Sequence, residues 1–379
     1  MPTRKSNLVA IIQPFVPSYR VALFDAIDER LRENGLNLEV WHAQPKGRVL
    51  ARGNAASGRW SVPIKQYRFS VGRRNVTFRN VHRQARRARV VIAGLASTNL
   101  ETYALAADVR VNLMLWGHGK NFTAKNSRID GAVEDWLRNR STHVFVYTQK
   151  GKDHLLERGA RSSEVTVVQN STDTQRLKQL VASLPPGTEA KMRHDLDLEG
   201  SEVALFIGAF DEPKKLPLLF EATDQIALQR PNFVLLIAGG GPDEAYVHSM
   251  AQDREHVRLI GRADGVELAR LSTVVDLISI PGRIGLVAVD ALALGLPVVT
   301  TLYPYHAPEA EYLTAGRDSV WTEMTAEKYA EGISGLLDDR ERLARFSSAA
   351  LKASSAFSVE DSADRFVSAI LGAVDAQRV

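Results

Sequence analysis

The chain has 379 residues, with 48 Lys and Arg against 44 Asp and Glu, and no cysteine. That length suits two α/β domains rather than one core, and the missing cysteines exclude disulfides and thiolate chemistry. No stretch reaches the length of a membrane-spanning helix, and residues 1–10 do not lead into the apolar core of a signal peptide, so a cytoplasmic location is expected.

The first half alternates strand-like and helix-like segments. Leu8–Gln13 reads as a buried strand, residues 19–31 have helical spacing, and residues 36–41 return as a strand. Further strands are expected at 89–93, 109–116, 143–147 and 165–168. The texture changes between Leu180 and Gly200, where Leu-Pro-Pro-Gly-Thr and a polar, mixed-charge run suggest an interdomain linker. A second alternating set follows at 203–207, 233–238, 257–260, 277–280 and 298–300, and residues 344–379 are helical by period. Strands alternating with helices over such lengths imply two parallel, doubly wound sheets. The expected domains are 1–180 and 181–355, with a terminal piece at 356–379.

Charge is unevenly placed. Residues 1–175 hold 28 Lys and Arg against 14 Asp and Glu, whereas the remainder holds 20 against 30. Between Val40 and Leu100 there are 13 Lys or Arg and no acidic residue. Arg73, Arg74, Arg79, Arg83, Arg86, Arg87 and Arg89 crowd into one short piece. A polyanionic partner fits such asymmetry: an anionic membrane surface or a phosphate-bearing acceptor. A merely solvated basic face is the plainer alternative. Without a helix-turn-helix, an RNA-binding aromatic pair or zinc spacing, no nucleic acid is expected.

Residues 278–301 carry the strongest local message. A β-branched run ends in Pro281-Gly282, a helix opens at Gly285 and closes at Gly295, and Leu296-Pro297 starts another strand. The free amides of such a helix make an anion site, with Asp290 in its second turn within reach of a ribose. The segment reads as half of a nucleotide pocket, or as a plain βαβ unit. Leu115-Trp116-Gly117-His118-Gly119-Lys120 ends an apolar strand with two glycines around one histidine, which places His118 at the carboxyl edge of a sheet. Asp195-Leu196-Asp197 has the letters of a metal-binding pair but lies in the polar linker, and no metal site is expected.

Together these motifs resemble the group 1 (family four) glycosyltransferases of the type that builds bacterial cell-surface polysaccharides, and the resemblance spans nearly the whole chain. It implies the GT-B architecture, two Rossmann-like domains facing across a cleft, with the terminal helix crossing back to the first domain. It implies a retaining, metal-independent transfer from a UDP- or GDP-linked sugar, with no separate cofactor. In the family's pattern of two acids with seven residues between them, Asp290 takes the second place and Gly282 the first. Lys214 matches the lysine that meets the donor diphosphate, with Lys215 beside it, and Gly208 precedes the arginine position, here Ala209. Arg283 is the candidate stand-in for that arginine. Gly285 and Leu286 form the helix mouth, Gly239 and Gly241 match a Gly-x-Gly-Pro turn, and Arg262 falls where the base is lined. His118 takes the role of contacting the donor sugar and reaction centre.

On the acceptor side the resemblance points to Tyr19 and Arg20. Arg20 pairs with a phosphate of a lipid-linked acceptor or bridges to a helix. Arg83, Arg86 and Arg87 are placed against the membrane, which would hold the protein peripherally on the inner face of the cell membrane. Two other readings stay open, a sugar-nucleotide epimerase and a degenerate, non-catalytic GT-B scaffold. The missing acid at Gly282 and the missing arginine at Ala209 motivate the second.

Overall fold

The computed structural model describes residues 6–44, 55–71, 74–119 and 128–375. Arg73 and Lys120, singled out above, lie outside them. The chain divides into two compact units, residues 1–172 with 359–379, and residues 173–358.

Among the described residues, the first unit holds nine strands: β1 (Leu8–Gln13), β2 (Asn37–His42), β3 (Ser61–Pro63), β4 (Gln66–Val71), β5 (Arg74–Arg79), β6 (Val90–Gly94), β7 (Leu113–Gly117), β8 (His143–Val146) and β9 (Val165–Val167). Seven form one parallel sheet in the order β3-β2-β1-β6-β7-β8-β9, while β4 and β5 pair antiparallel as a separate hairpin. Its strands are apolar on both faces because helices cover both. Side chains alternate across a strand, so Val9 and Ile11 join one core, with Trp116 and Phe145, while Ala10 and Ile12 join the other, with Leu115 and Val144. The helix Val359–Asp375 buries Val359, Ala363, Phe366, Val367 and Ile370 in the first of these cores, and Ser362 Oγ donates to Val168 O at 2.6 Å.

The second unit holds β10 (Glu202–Ala209), β11 (Phe233–Gly240), β12 (Val257–Gly261), β13 (Leu277–Ser279), β14 (Val298–Thr301) and β15 (Ser319–Thr322). Their order is β12-β11-β10-β13-β14-β15, and every pair is parallel. Successive strands are added outward from β10 on one side, then outward from β13 on the other. The connections therefore diverge at the carboxyl ends of β10 and β13, and an open α/β sheet leaves its binding crevice there.

Three expectations change. The stretch read as a linker takes in the end of one helix, Thr174–Ala182, and the whole of another, Thr188–Asp195, both within the second unit. Asp173 caps the first of them by accepting from Arg176 N–H at 2.9 Å, and the polar run of the linker reading is a solvent-facing helix. The helical C-terminal stretch is two helices, Arg340–Ser354 and Val359–Asp375, parted by a 3-10 turn and an extended Ser358. The hairpin β4–β5 and the strands β3 and β15 were not anticipated. Among the described residues, no helix is long and apolar enough to cross a membrane.

Candidate functional site

The crevice at the divergence of β10 and β13 is lined by three short loops, each shaped by a glycine. At the end of β10, Gly208 has a φ of 154°, and a Cβ there would sit 3.1 Å from Lys214 Cε and Nζ. The missing side chain lets Lys214 lie back across the strand end. Gly239, at the end of β11, packs so closely on Gly208 that its Cβ would lie 1.9 Å from the Gly208 carbonyl oxygen. Gly241 meets the Phe210 backbone in the same way. These glycines draw the ends of β10 and β11 together beneath the lysine.

The Lys214 ammonium donates to Arg283 O at 2.7 Å, and Arg283 N–H donates to Pro213 O at 2.8 Å. These two bonds clip the 211–215 loop to the loop that leads into the helix Val287–Leu294. Burial pushes the Lys214 pKa down to about 8, with Asp211 opposing the shift and the Arg283 charge adding to it. Lys214 is thus a half-desolvated cation next to a second cation, an arrangement that an incoming anion would relieve.

Gly282 has a role that its letter does not show. A Cβ at this position would lie 2.2 Å from Pro213 O and 2.7 Å from Lys214 O. The place where the family pattern carries its first acid is occupied by the backbone of the lysine loop. The departure from the pattern is therefore built into the packing of the crevice.

His306, which sequence reasoning left aside, fastens the same loop from the other side. Its Nδ1 accepts from Ile284 N–H at 3.1 Å and its Nε2–H donates to Thr301 O at 2.9 Å. That pair of bonds fixes the neutral ring, and burial, reinforced by the charges of Lys214 and Arg283 against the pull of the Thr301 carbonyl, lowers its pKa. Thr301 Oγ1 donates to Pro281 O at 2.6 Å and Ala307 N–H to Ile284 O at 2.9 Å. With the Arg283 and Ile284 amides engaged, the next amides are those of Gly285, Leu286 and Val287. They precede the first helical bond, from Ala288 N–H to Gly285 O at 3.0 Å. Gly285 has only Ala307 Cβ near, at 3.8 Å, so the helix mouth is roomy. Asp290 stands in the first turn of this helix, not the second, because the helix begins at Val287.

Lys215 and Arg262 belong to the rim. Lys215 adopts a left-handed conformation, φ 57°, and its ammonium pairs with Glu212 at 2.5 Å beneath the Tyr303 ring. Arg262 is exposed, with its Nε 3.3 Å from where a Gly240 Cβ would lie, so its guanidinium covers the end of β11.

In the first unit, His118 follows β7 on an exposed turn, its ring 4.9 Å from that of Tyr147. Gly119 is left-handed, φ 68°, and a Cβ there would lie 2.7 Å from Gly151 O, so the turn is wedged on the helix Gln149–Glu157. Arg20 is already engaged. Its Nη1 donates to Gln13 Oε1 at 2.6 Å, its Nη2 to Tyr147 Oη at 2.8 Å, and its guanidinium lies 4.4 Å over the Trp116 ring. These partners lie on or just past the strands β1, β7 and β8, not on a helix, and Tyr19 lies 5.6 Å beside the same guanidinium.

The basic stretch carries less free charge than its composition suggests. Arg79 is buried in an ion pair with Glu101, and Arg86 pairs at 2.6 Å with Asp108, which also meets Arg110 and His82. Arg83 and Arg87 are exposed. All three arginines placed against a membrane are exposed, but the charge of Arg86 is shared with Asp108.

Residues 188–353 match the model of the family "Glycosyl transferases group 1". That match lies wholly within the second unit and covers less than half of the chain. The chain is 28% identical over 184 residues to a glycogen synthase of Mycobacterium tuberculosis, covering 46% of this chain and 41% of that protein. It is 28% identical over 247 residues to D-inositol 3-phosphate glycosyltransferase 2 of Catenulispora acidiphila, covering 59% and 54%. The chain thus spans only about half the length of these relatives. Among solved structures, Anabaena Alr3699/HepE in complex with UDP and glucose superposes with a TM-score of 0.67 at 17% identity, over 96% of this chain and 99% of that one. A glycosyltransferase from Rickettsia africae gives 0.71 at 14%, over 97% and 98%. At such identities the likeness is one of fold, and that fold is GT-B.

Proposed function

We propose that the chain is a retaining, metal-independent glycosyltransferase that moves a sugar from a nucleotide-diphosphate sugar to a glycan or lipid-linked acceptor in cell-surface polysaccharide synthesis. The observation that carries this reading is the crevice at the divergence of β10 and β13. There the half-desolvated Lys214, the Arg283 loop and the first amides of the helix Val287–Leu294 converge. Cations and helix amides aimed at one spot stabilise the charge that develops on a departing diphosphate, a large term in such reactions. Arg283 supplies the cation that Ala209 cannot, and Asp290 holds the ribose.

UDP is the first nucleotide to try, since the Anabaena structure of the same fold holds UDP and glucose. His118 contacts the sugar or positions the acceptor. No carboxylate is assigned the part of a nucleophile, so attack on the face that the diphosphate leaves, assisted by that diphosphate, is the course proposed. The protein works peripherally on the cytoplasmic face of an anionic membrane.

A thermal-shift panel of UDP, GDP, CDP, dTDP and ADP with their sugar conjugates tests the donor site. A ligand at 100 times its dissociation constant stabilises the fold by about 2.7 kcal/mol. One base should shift the midpoint clearly, and Arg283→Ala should weaken that shift and cut turnover strongly. A flat panel would overturn the donor reading, and an unchanged rate in Arg283→Ala would remove Arg283 from the site.

A further inference from the structure

The hairpin β4–β5 is an addition to the first sheet, and its two faces differ. Alternation along β4 puts Gln66, Arg68 and Ser70 on one face and Tyr67 and Phe69 on the other. Across the hairpin Tyr67 pairs with Phe78 and Phe69 with Val76, so the second face is apolar on both strands. The Tyr67 and Phe78 rings stack at 6.5 Å, yet Tyr67 is 48% and Phe69 51% exposed. A two-stranded hairpin is marginal by itself, and this one is held at its base. Thr77 N–H donates to Thr98 O at 2.9 Å, Thr77 Oγ1 to Asn99 Oδ1 at 3.0 Å, and Arg79 pairs with the buried Glu101. Its polar face, with Gln66, Thr77 and Arg79, walls a cavity of about 360 Å³ beside Pro14. The aromatic face is left to the outside on a firm support.

We infer that this face docks on a lipid bilayer with anionic headgroups. Charge complementarity selects that occupant. Lys65, in step with Tyr67 and Phe69, is exposed beside the rings, Arg83 and Arg87 are exposed further along the sequence, and no acidic residue occurs from Val40 to Leu100. Aromatic rings that are apolar in body and, for tyrosine, polar at the tip suit the headgroup boundary, with cations alongside them. Six-residue strands are too short to span the hydrocarbon, so the contact is an interfacial one. The inference deepens the peripheral-membrane part of the proposed function, naming the surface that touches lipid, and it is independent of the donor crevice.

Co-sedimentation with vesicles of phosphatidylcholine alone, and of phosphatidylcholine with phosphatidylglycerol at 7:3, tests it. The full chain should bind the anionic vesicles and release with salt. Tyr67→Ser/Phe69→Ser should lose about tenfold in binding, and Lys65→Glu/Arg83→Glu should lose a similar amount. Leu228→Ser, at an exposed leucine of the second unit, should lose nothing. The UDP-induced thermal shift, measured on each variant, should stay as in the parent, which separates loss of docking from failure of the donor site or of folding. If the aromatic pair fails to fold, the charge-reversal pair decides. Equal binding to neutral vesicles, or full binding by the folded variants, would overturn the inference. So would self-association that only the aromatic variant abolishes, since the face would then serve a second copy of the chain.

Discussion

Gly282 packs against the 213–214 backbone so tightly that one methyl group is enough to test the donor loop. In Gly282→Ala the new Cβ lies 2.2 Å from Pro213 O and 2.5 Å from Lys214 C, atoms of a backbone with no free end to swing aside. Relief requires the 211–215 loop to move, which strains the bond from Arg283 N–H to Pro213 O and that from Lys214 to Arg283 O. Overpacking costs about 1–3 kcal/mol. The neutral bond contributes about 1 kcal/mol and the charged one roughly 1.5 kcal/mol, the lower end of its range because Lys214 is only half-buried. These overlap, so about 3 kcal/mol is a fair total. For a unit of this size that lowers Tm by about 6–12 °C. Differential scanning calorimetry, following the transition that UDP displaces, reads the change directly. Gly282→Glu, which writes the family's acid back into the chain, should be at least as damaging and should not raise turnover. A Gly282→Ala midpoint within about 1 °C of the parent, with unchanged nucleotide binding, would refute the packing argument.

Three other outcomes follow from the same geometry. The free Lys214 loses its proton near pH 8 rather than 10.5, so diphosphate affinity, followed by calorimetric titration, should fall as pH rises through about 8 and be flat in Lys214→Met. The ligand-free unit should at the same time gain stability between pH 8 and 10.5, where the unfolded chain binds the extra proton. His306 is neutral when folded and takes a proton more readily once unfolded, so its contribution is full above pH 6.5 and is lost as pH falls below it. In denaturant melts, the stability deficit of His306→Gln should therefore shrink between pH 7.5 and 5; a constant deficit would mean that the ring does not titrate this way. Arg79→Met strands the buried Glu101 carboxylate and should cost about 3–5 kcal/mol, and Arg79→Met/Glu101→Leu should recover most of it in the same melts.

The period of the sequence reveals the strands of both sheets except β3 and β15, because the apolar runs of the others are continuous and bounded by glycine and proline. It does not reveal the hairpin β4–β5, which alternates polar and apolar residues instead of running apolar throughout and whose partner is itself. The residues 180–200 mislead because proline, glycine and mixed charge also describe helix caps and solvent-facing helices. At the crevice, Lys214, Gly208 and the Gly285 helix mouth are legible because strand, glycine and helix follow one another in the chain. The clip between Gly282 and Pro213 joins segments some seventy residues apart, so no local pattern carries it. His306 lies beyond the next strand and acts through two backbone partners, Ile284 and Thr301, a role that the sequence does not spell out. The arginine cluster reads as free charge only until Glu101 and Asp108, which lie outside the acid-free stretch, are seen to neutralise Arg79 and Arg86.

The return of residues 359–375 to the first unit bears on how the chain is made. Phe366, Ile370 and their neighbours complete a core whose other members, Val9, Phe24 and Trp116 among them, leave the ribosome long before. All of Asp173–Ser358 must be synthesised in between, a wait of roughly 10–40 s at ordinary elongation rates. Through that interval an apolar groove stays open on the nascent first unit, a natural target for a holding chaperone, while the continuous second unit is free to fold as soon as it emerges. Cutting the chain after Thr172 would make that open groove permanent.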